Sequence, residues 1–229
     1  MMTAPAPRSA YIHIPFCHRR CFYCDFAVVP LGDQADAAGG PGSRSIALYL
    51  DQLLEEIDLS PAGPPLATVY IGGGTPSLLT PDQVGQVLQA LRQRFGLQNG
   101  AEISLEMDPA SFERLDLNAL AQQGVNRVSL GGQSFDDEVL ASLGRRHRRA
   151  DLLEACGWLQ AAVVQGRLVS WSLDLIRNLP DQTDVAWADQ LDQALASKAP
   201  HLSIYDLSLE PGTVSVSYTH LRAHETPCH

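Results

Sequence analysis

Six short apolar runs, five of them followed by a helical segment, predict an α/β protein built on a parallel sheet. The runs are AYIHI (10–14), ATVYIGG (67–73), EISLEM (102–107), NRVSLGG (126–132), VSWSLDLI (169–176) and HLSIYDLSL (201–209). Between them lie amphipathic patterns such as IALYLDQLLEEIDL (46–59), PDQVGQVLQALRQRF (81–95) and DLNALAQQG (116–124). Near-continuous apolar strands joined by connections of helix length favour a parallel sheet covered by helices, because right-handed crossovers need that much chain. Periodicity does not choose between an open doubly wound layer and a full or partial (β/α) barrel.

Taken in order, the first strand runs straight into a cysteine-rich loop over 15–26, and GDQADAAGGPGSRS (32–45) follows as a small, polar, glycine-rich surface loop, expected to be flexible. SPAGPPLA (60–67) is a stiff lead-in to the second strand. The remaining strands and helices alternate up to about residue 214. Residues 216–229, VSYTHLRAHETPCH, have no apolar period, and VSYTHLRAHET matches one reading frame of a transposon adapter used in sequencing libraries. Residues 215–229 are therefore expected to be a non-native tail, and His220, His224, Cys228 and His229 are not read as a metal site. One core domain over 1–214 is the expected organisation.

Composition narrows the function classes. A hydrophobic content of 45% suits a packed core, while a net charge of -10 argues against a broad nucleic-acid face. A local basic patch remains at Arg145, Arg146, His147, Arg148 and Arg149. MMTAPAPRSA lacks a signal-peptide layout and no apolar run reaches bilayer length, so the expected location is cytoplasmic with no transmembrane segment. Five cysteines, three crowded and two isolated at Cys156 and Cys228, make no disulfide framework.

The crowded trio carries the chemistry. Cys17, Cys21 and Cys24 have the form C-x3-C-x2-C. Tetrahedral zinc needs a fourth ligand, and His13, His18 or Asp25 would have to supply it at unusual spacing. An iron–sulfur cubane held by three thiolates instead keeps one iron open to a substrate or cofactor. A zinc-stabilised β/α module that binds a small metabolite stays as the non-enzymatic alternative.

This trio, on a loop after the first strand, resembles the radical S-adenosylmethionine (radical SAM) superfamily. YIHIPFC, GGGTPSLL, LEMDP, VNRVSLGGQSFDDEVLASLGRRH, LDLIRNLPDQT and HLSIYDLSLEPGT, in that order over residues 11 to about 214, narrow the resemblance to the HemN/HemW group: oxygen-independent coproporphyrinogen III oxidases and their heme-chaperone relatives. The resemblance implies a partial (β/α)6 TIM-like barrel with its site at the C-terminal strand ends. It implies a [4Fe-4S] cluster whose open iron binds the methionine end of S-adenosylmethionine, a sulfonium cleaved by one electron from the cluster, and a flavodoxin or ferredoxin as donor.

The same resemblance assigns the cofactor contacts. Gly73, Gly74 and Thr75, with Gly72, follow the second strand where bare backbone can approach a ligand; the alternative is an ordinary turn closed by Pro76. Glu106 and Asp174 are carboxylates in apolar strands, which must be paired or used, Asp174 through ribose hydroxyls; a buried ion pair is the alternative. Gln133 and Arg145 map onto further contacts, the Arg suiting a carboxylate through its planar fork. Tyr11 and Tyr23 flank the loop and pack either on adenine and cluster or simply in the core. His13 reads either as a satisfied core histidine or as a hydrogen-bonding residue that fixes the loop, rather than as a ligand, and Cys156 reads as a small buried hydrophobe.

Within the group, Asp25-Phe26 stands where the oxidases carry Gly-Cys, and sixteen residues precede Cys17 where the oxidases have a long extension. Both favour the heme-chaperone side, with heme as cargo and respiratory hemoproteins as recipients; oxidative decarboxylation of coproporphyrinogen is the runner-up. Asn178 replaces a usual Gly, tolerable in a left-handed turn, and Gly132 replaces a usual Val. The C-terminal domain of the group, where the resemblance would put heme recognition, is expected to be missing.

Overall fold

The computed structural model describes residues 6–208, 210 and 213–215. Val216 and the histidines and cysteine beyond it lie outside the described residues. Strand β1 (Ser9–Ile14) leads into a two-residue β2 (Phe16–Cys17), which pairs in parallel with β3 (Val29–Pro30). Then follow α1 (Ser43–Leu59), β4 (Leu66–Gly73), a 3-10 turn (Pro76–Leu78), α2 (Pro81–Arg94), β5 (Leu97–Met107) and α3 (Arg114–Gln123). The chain continues through β6 (Arg127–Gln133), a short α4 (Asp137–Ser142), α5 (Arg149–Val164), β7 (Ser170–Arg177), α6 (Asp184–Ala196) and β8 (His201–Asp206).

β1, β4, β5, β6, β7 and β8 form one parallel sheet in sequence order, with β1 and β8 at its two edges. Uninterrupted sequential order is that of a barrel that does not close, which bears out the partial (β/α)6 reading over a doubly wound layer, whose order reverses.

The strands are less uniformly apolar than expected. Val69 and Ile71, Ile103 and Leu105, Val128 and Leu130, Trp171 and Leu173 alternate with polar residues, and all eight join one core with α1, α2, α3 and α5. The intervening positions carry Tyr70, Ser104, Glu106, Ser129, Ser172 and Asp174. Side chains on a strand alternate between faces, so the helices cover one face only and the concave face is polar. Ser104 and Ser172 are fully buried there, and Ser129 bonds both Ser172 and Asp174 at 2.9 Å.

Helix ends follow local chemistry. Thr80 and Gln83 close a capping box on α2, with Pro81 at its first position, and Gly124 ends α3 at φ 114°. Segment 32–45 is partly helical, since Ser43–Ser45 begin α1. Its loop portion packs Ala35 and Ala37 into the core, and Asp36 accepts from the Ala38 amide at 2.8 Å. Asn178 takes φ 57°, the left-handed turn its side chain tolerates. A Cβ on Gly132 would stand 2.6 Å from Leu173 and 3.1 Å from Leu152, so those two leucines fill the space of the usual Val.

Candidate cluster and cofactor site

The cysteine loop is bound to the sheet end by backbone. Gly74 and Thr75 amides donate to the Ile14 and Phe16 carbonyls at 2.8 and 2.7 Å, and Val29 and Leu31 amides donate to Pro15 and Cys17 at 2.7 and 2.8 Å. From within, the Arg20 guanidinium donates to the Cys24 and Phe26 carbonyls at 2.9 and 3.2 Å. His13 ties β1 to the loop's far end: Nε2 bonds the Ala27 carbonyl at 3.0 Å while the Tyr11 hydroxyl meets Nδ1 at 3.1 Å. Of the two sequence readings of His13, this is the loop-fixing one, and the residue is half-buried rather than a core histidine.

The loop roofs a cavity of about 460 Å³ at the C-terminal strand ends. Eleven of the twelve predicted site residues line it: Cys17, Cys21, Cys24, Tyr23, Gly73, Gly74, Thr75, Glu106, Gln133, Arg145 and Asp174. Tyr11 does not. It pairs with Tyr70 across β1 and β4, stacks on that ring at 6.1 Å, and is 59% exposed, three residues short of the strand end where the cavity opens.

The glycines are steric requirements. A Cβ on Gly74 would lie 2.6 Å from the Phe16 carbonyl oxygen and 2.8 Å from Cys17 Sγ. Gly73 has φ 118°, and a Cβ there would meet the His13 ring at 2.7 Å. On Gly72 it would stand 2.9 Å from Glu106 Oε1. Gln133, at φ 65° beside a register shift in the β6–β7 ladder, is a non-glycine in the same left-handed region, held at the cavity wall.

Glu106 accepts from the Tyr70 hydroxyl at 2.8 Å and from the Gly73 amide at 3.0 Å. Burial pushes its carboxyl above the ordinary value despite both bonds. Burial likewise raises Asp174, which Ser203 and Ser129 partly offset, and Asp174 Oδ1 is buried with no hydrogen-bond partner. Sequence reasoning missed Tyr70, which pairs with Ser104 in the ladder and whose hydroxyl reaches diagonally to Glu106. It also missed Asp108, which takes a 2.6 Å bond from Arg145 Nη2. Burial alone would raise the Asp108 carboxyl, but the Arg145 guanidinium and His147 outweigh it and hold it well below the usual carboxylate range.

The thiols fit a cationic cluster. Burial pushes Cys17 up to about 11 and raises Cys24 too, so their thiolate forms require a compensating cation, which iron would supply. Among the described residues no three His, Cys, Asp or Glu side chains converge closely enough to hold a single metal ion. The three cysteines line one cavity. The unpartnered Asp174 oxygen and the bare-backbone wall at Gly73 and Gly74 leave acceptors and room for a bound nucleotide beside it.

The sequence model of the radical SAM superfamily matches residues 11–190. The chain belongs to this superfamily. Among relatives of this radical SAM protein, the heme chaperone HemW of Synechocystis is 44% identical over 91% of this chain and 49% of its own length. HemW of Escherichia coli is 38% identical over 91% of this chain and 52% of its own. The mitochondrial radical S-adenosyl methionine domain-containing protein 1 of Bos taurus is 37% identical over 92% of this chain and 46% of its own. Coproporphyrinogen III oxidase (HemN) from E. coli superposes with a TM-score of 0.79 at 29% identity, over 93% of this radical SAM chain and 47% of the oxidase. The chain spans about half the length of the curated relatives it matches. Among the described residues no helix is long and apolar enough to cross a membrane.

Proposed function

We propose that this chain is the S-adenosylmethionine-binding core of a heme chaperone of the HemW type, working in the cytoplasm, over residues 1–214 with 215–229 non-native. The observation that carries the reading is that one cavity is lined by three cysteine thiols, a glycine wall and an unpaired buried carboxylate oxygen. Cys17, Cys21 and Cys24 would hold a [4Fe-4S] cluster, which when bound supplies an open iron and one electron to the sulfonium of S-adenosylmethionine.

The chain's own residues then bind and shield. Gly73, Gly74 and Thr75 offer backbone and hydroxyl to the methionine end, and Glu106, locked by Tyr70 and Gly73, presents a fixed carboxylate. Asp174 Oδ1 accepts from a ribose hydroxyl, Gln133 contributes an amide, and Tyr23 closes the wall beneath the loop. Arg145 reaches the cofactor only with what Asp108 leaves it, since Nη2 is engaged. Tyr11, outside the cavity, acts on the site through His13. Heme is the cargo, respiratory hemoproteins the recipients, and a flavodoxin or ferredoxin the reductant.

Support for the chaperone over the oxidase comes from the HemW relatives at 33–44% identity against 29% for HemN, together with Asp25-Phe26 in place of Gly-Cys. The deciding experiment uses the full-length protein, reconstituted anaerobically, offered heme or coproporphyrinogen III with a reductant. Stoichiometric heme uptake without carbon dioxide supports the chaperone; carbon dioxide release from coproporphyrinogen overturns it in favour of the oxidase.

A further inference from the structure

Resting on the cluster reading above, a second role for Arg145 follows from what holds it in place. The turn Leu143–His147, between α4 and α5, is clamped to the cysteine loop. The Phe22 amide donates to the Leu143 carbonyl at 3.0 Å, and Gly144, at φ 74°, lies so near the Phe22 ring that a Cβ would come within 3.0 Å of it. From this turn Arg145 points under the loop. Its Nη1 stands 3.7 Å from Cys21 Sγ, within hydrogen-bond reach of a sulfur, while Nη2 donates to Asp108 Oδ2 at 2.6 Å and to the Gly131 carbonyl at 2.8 Å.

Asp108 is itself held. Its Oδ1 accepts from the Ala110 amide at 2.9 Å, and its own amide donates to Ser77 at 3.1 Å. Behind it sits His147, with no exposed side-chain surface. His147 Nε2 meets the Gly132 carbonyl at 3.0 Å. A carbonyl only accepts, so Nε2 carries a hydrogen, and Nδ1 is left facing Asp108 Oδ2 at 3.8 Å. A guanidinium, a carboxylate and an imidazole thus stack from the cluster loop into the barrel wall, joining the ends of β5 and β6 to Cys21.

We infer that Asp108 and His147 are positioning residues that aim Arg145 at the Cys21 sulfur, and that this aim raises the reduction potential of the cluster. A hydrogen bond and a positive charge at a cluster thiolate favour the reduced, more negative state. Asp108 opposes that effect by its charge and promotes it by its geometry. The two contributions have opposite signs, which is what makes the inference testable.

The test is a redox titration of the reconstituted full-length protein, followed by electron paramagnetic resonance, in wild type and in Arg145→Met, Arg145→Lys, Asp108→Asn and His147→Gln, each with iron counted. Arg145→Met is expected to lower the midpoint potential, and Arg145→Lys to restore part of it. Asp108→Asn and His147→Gln are expected to move it in the same negative direction, because the guanidinium loses its aim. A rise in Asp108→Asn, the response to a deleted negative charge with Arg145 still in place, overturns the positioning role. An unchanged potential in Arg145→Met at full iron content overturns the contact itself. His147→Gln, remote from the cluster, covers the case in which Asp108→Asn does not fold. A wild type that takes up no iron overturns both this inference and the cluster reading.

Discussion

Asp174 and Glu106 are held against the cost of burial, Glu106 by the Tyr70 hydroxyl and the Gly73 amide and Asp174 by the Ser129 hydroxyl. Each is half-buried on a strand, each is pushed above its ordinary value of 3.8 or 4.5, and Asp174 retains a buried oxygen with no partner. Between the ordinary and the raised values the native forms hold protons that the unfolded chain has released, so the unfolded state binds fewer and stability falls as pH rises through that window. The loss begins at the ordinary carboxylate values and is complete above the raised ones. Asp174→Asn removes a charge that burial opposes, so ligand-free protein should melt at a higher temperature near neutral pH and its melting temperature should vary less with pH. The same variant should bind S-adenosylmethionine more weakly by calorimetry. A variant that melts at the wild-type temperature would mean that the carboxylate is already satisfied. Gly74→Ala is the opposite case: its Cβ meets backbone at 2.6 Å, so it should destabilise by about 1–3 kcal/mol and lose iron on reconstitution. Asn178, read from sequence as tolerating a left-handed turn, does adopt one.

At the scale of elements, the cysteine loop depends on its two ends. The β2–β3 pair and the His13–Ala27 bond close it, and neither was legible in the sequence, because a two-residue strand carries no periodicity and a histidine in a strand does not declare its partner. His13→Ala should cost about 1 kcal/mol locally and speed hydrogen exchange at Phe26–Leu31, with α1 and α2 unaffected. Equal acceleration throughout the chain would place His13 in the global core instead. The long helices were legible: α2 begins at the expected Pro81 and ends within a residue of the expected Phe95, because proline, capping box and apolar period agree. α4, at six residues, was too short to announce itself. Strand alternation was read as more apolar than it is, since the serines of the concave face break the apolar runs too gently to register.

For the whole molecule, an open parallel sheet with helices on one side leaves a polar concave face that a closed, packed barrel would not have. Most of the site was legible because each binding residue sits in a recognisable string at a strand end, and parallel strands in sequential order bring those ends together. What escaped were pairings set by register and packing: Tyr70 with Glu106, 36 residues apart, and Arg145 with Asp108, 37 apart. Polar atoms lining that face make the cavity a wet pocket until filled, so S-adenosylmethionine should slow hydrogen exchange at the C-terminal ends of β4 to β7 together. Protection of one strand alone would mean that the site residues act separately.

The central claim is a three-thiolate cluster with an open iron facing this cavity. Anaerobic reconstitution followed by electron paramagnetic resonance of the dithionite-reduced protein, with and without S-adenosylmethionine, tests it most directly. The account predicts about four irons per chain and a cluster signal that changes when the nucleotide is added. A colourless protein holding one zinc, or a cluster whose signal is indifferent to the nucleotide, would contradict it.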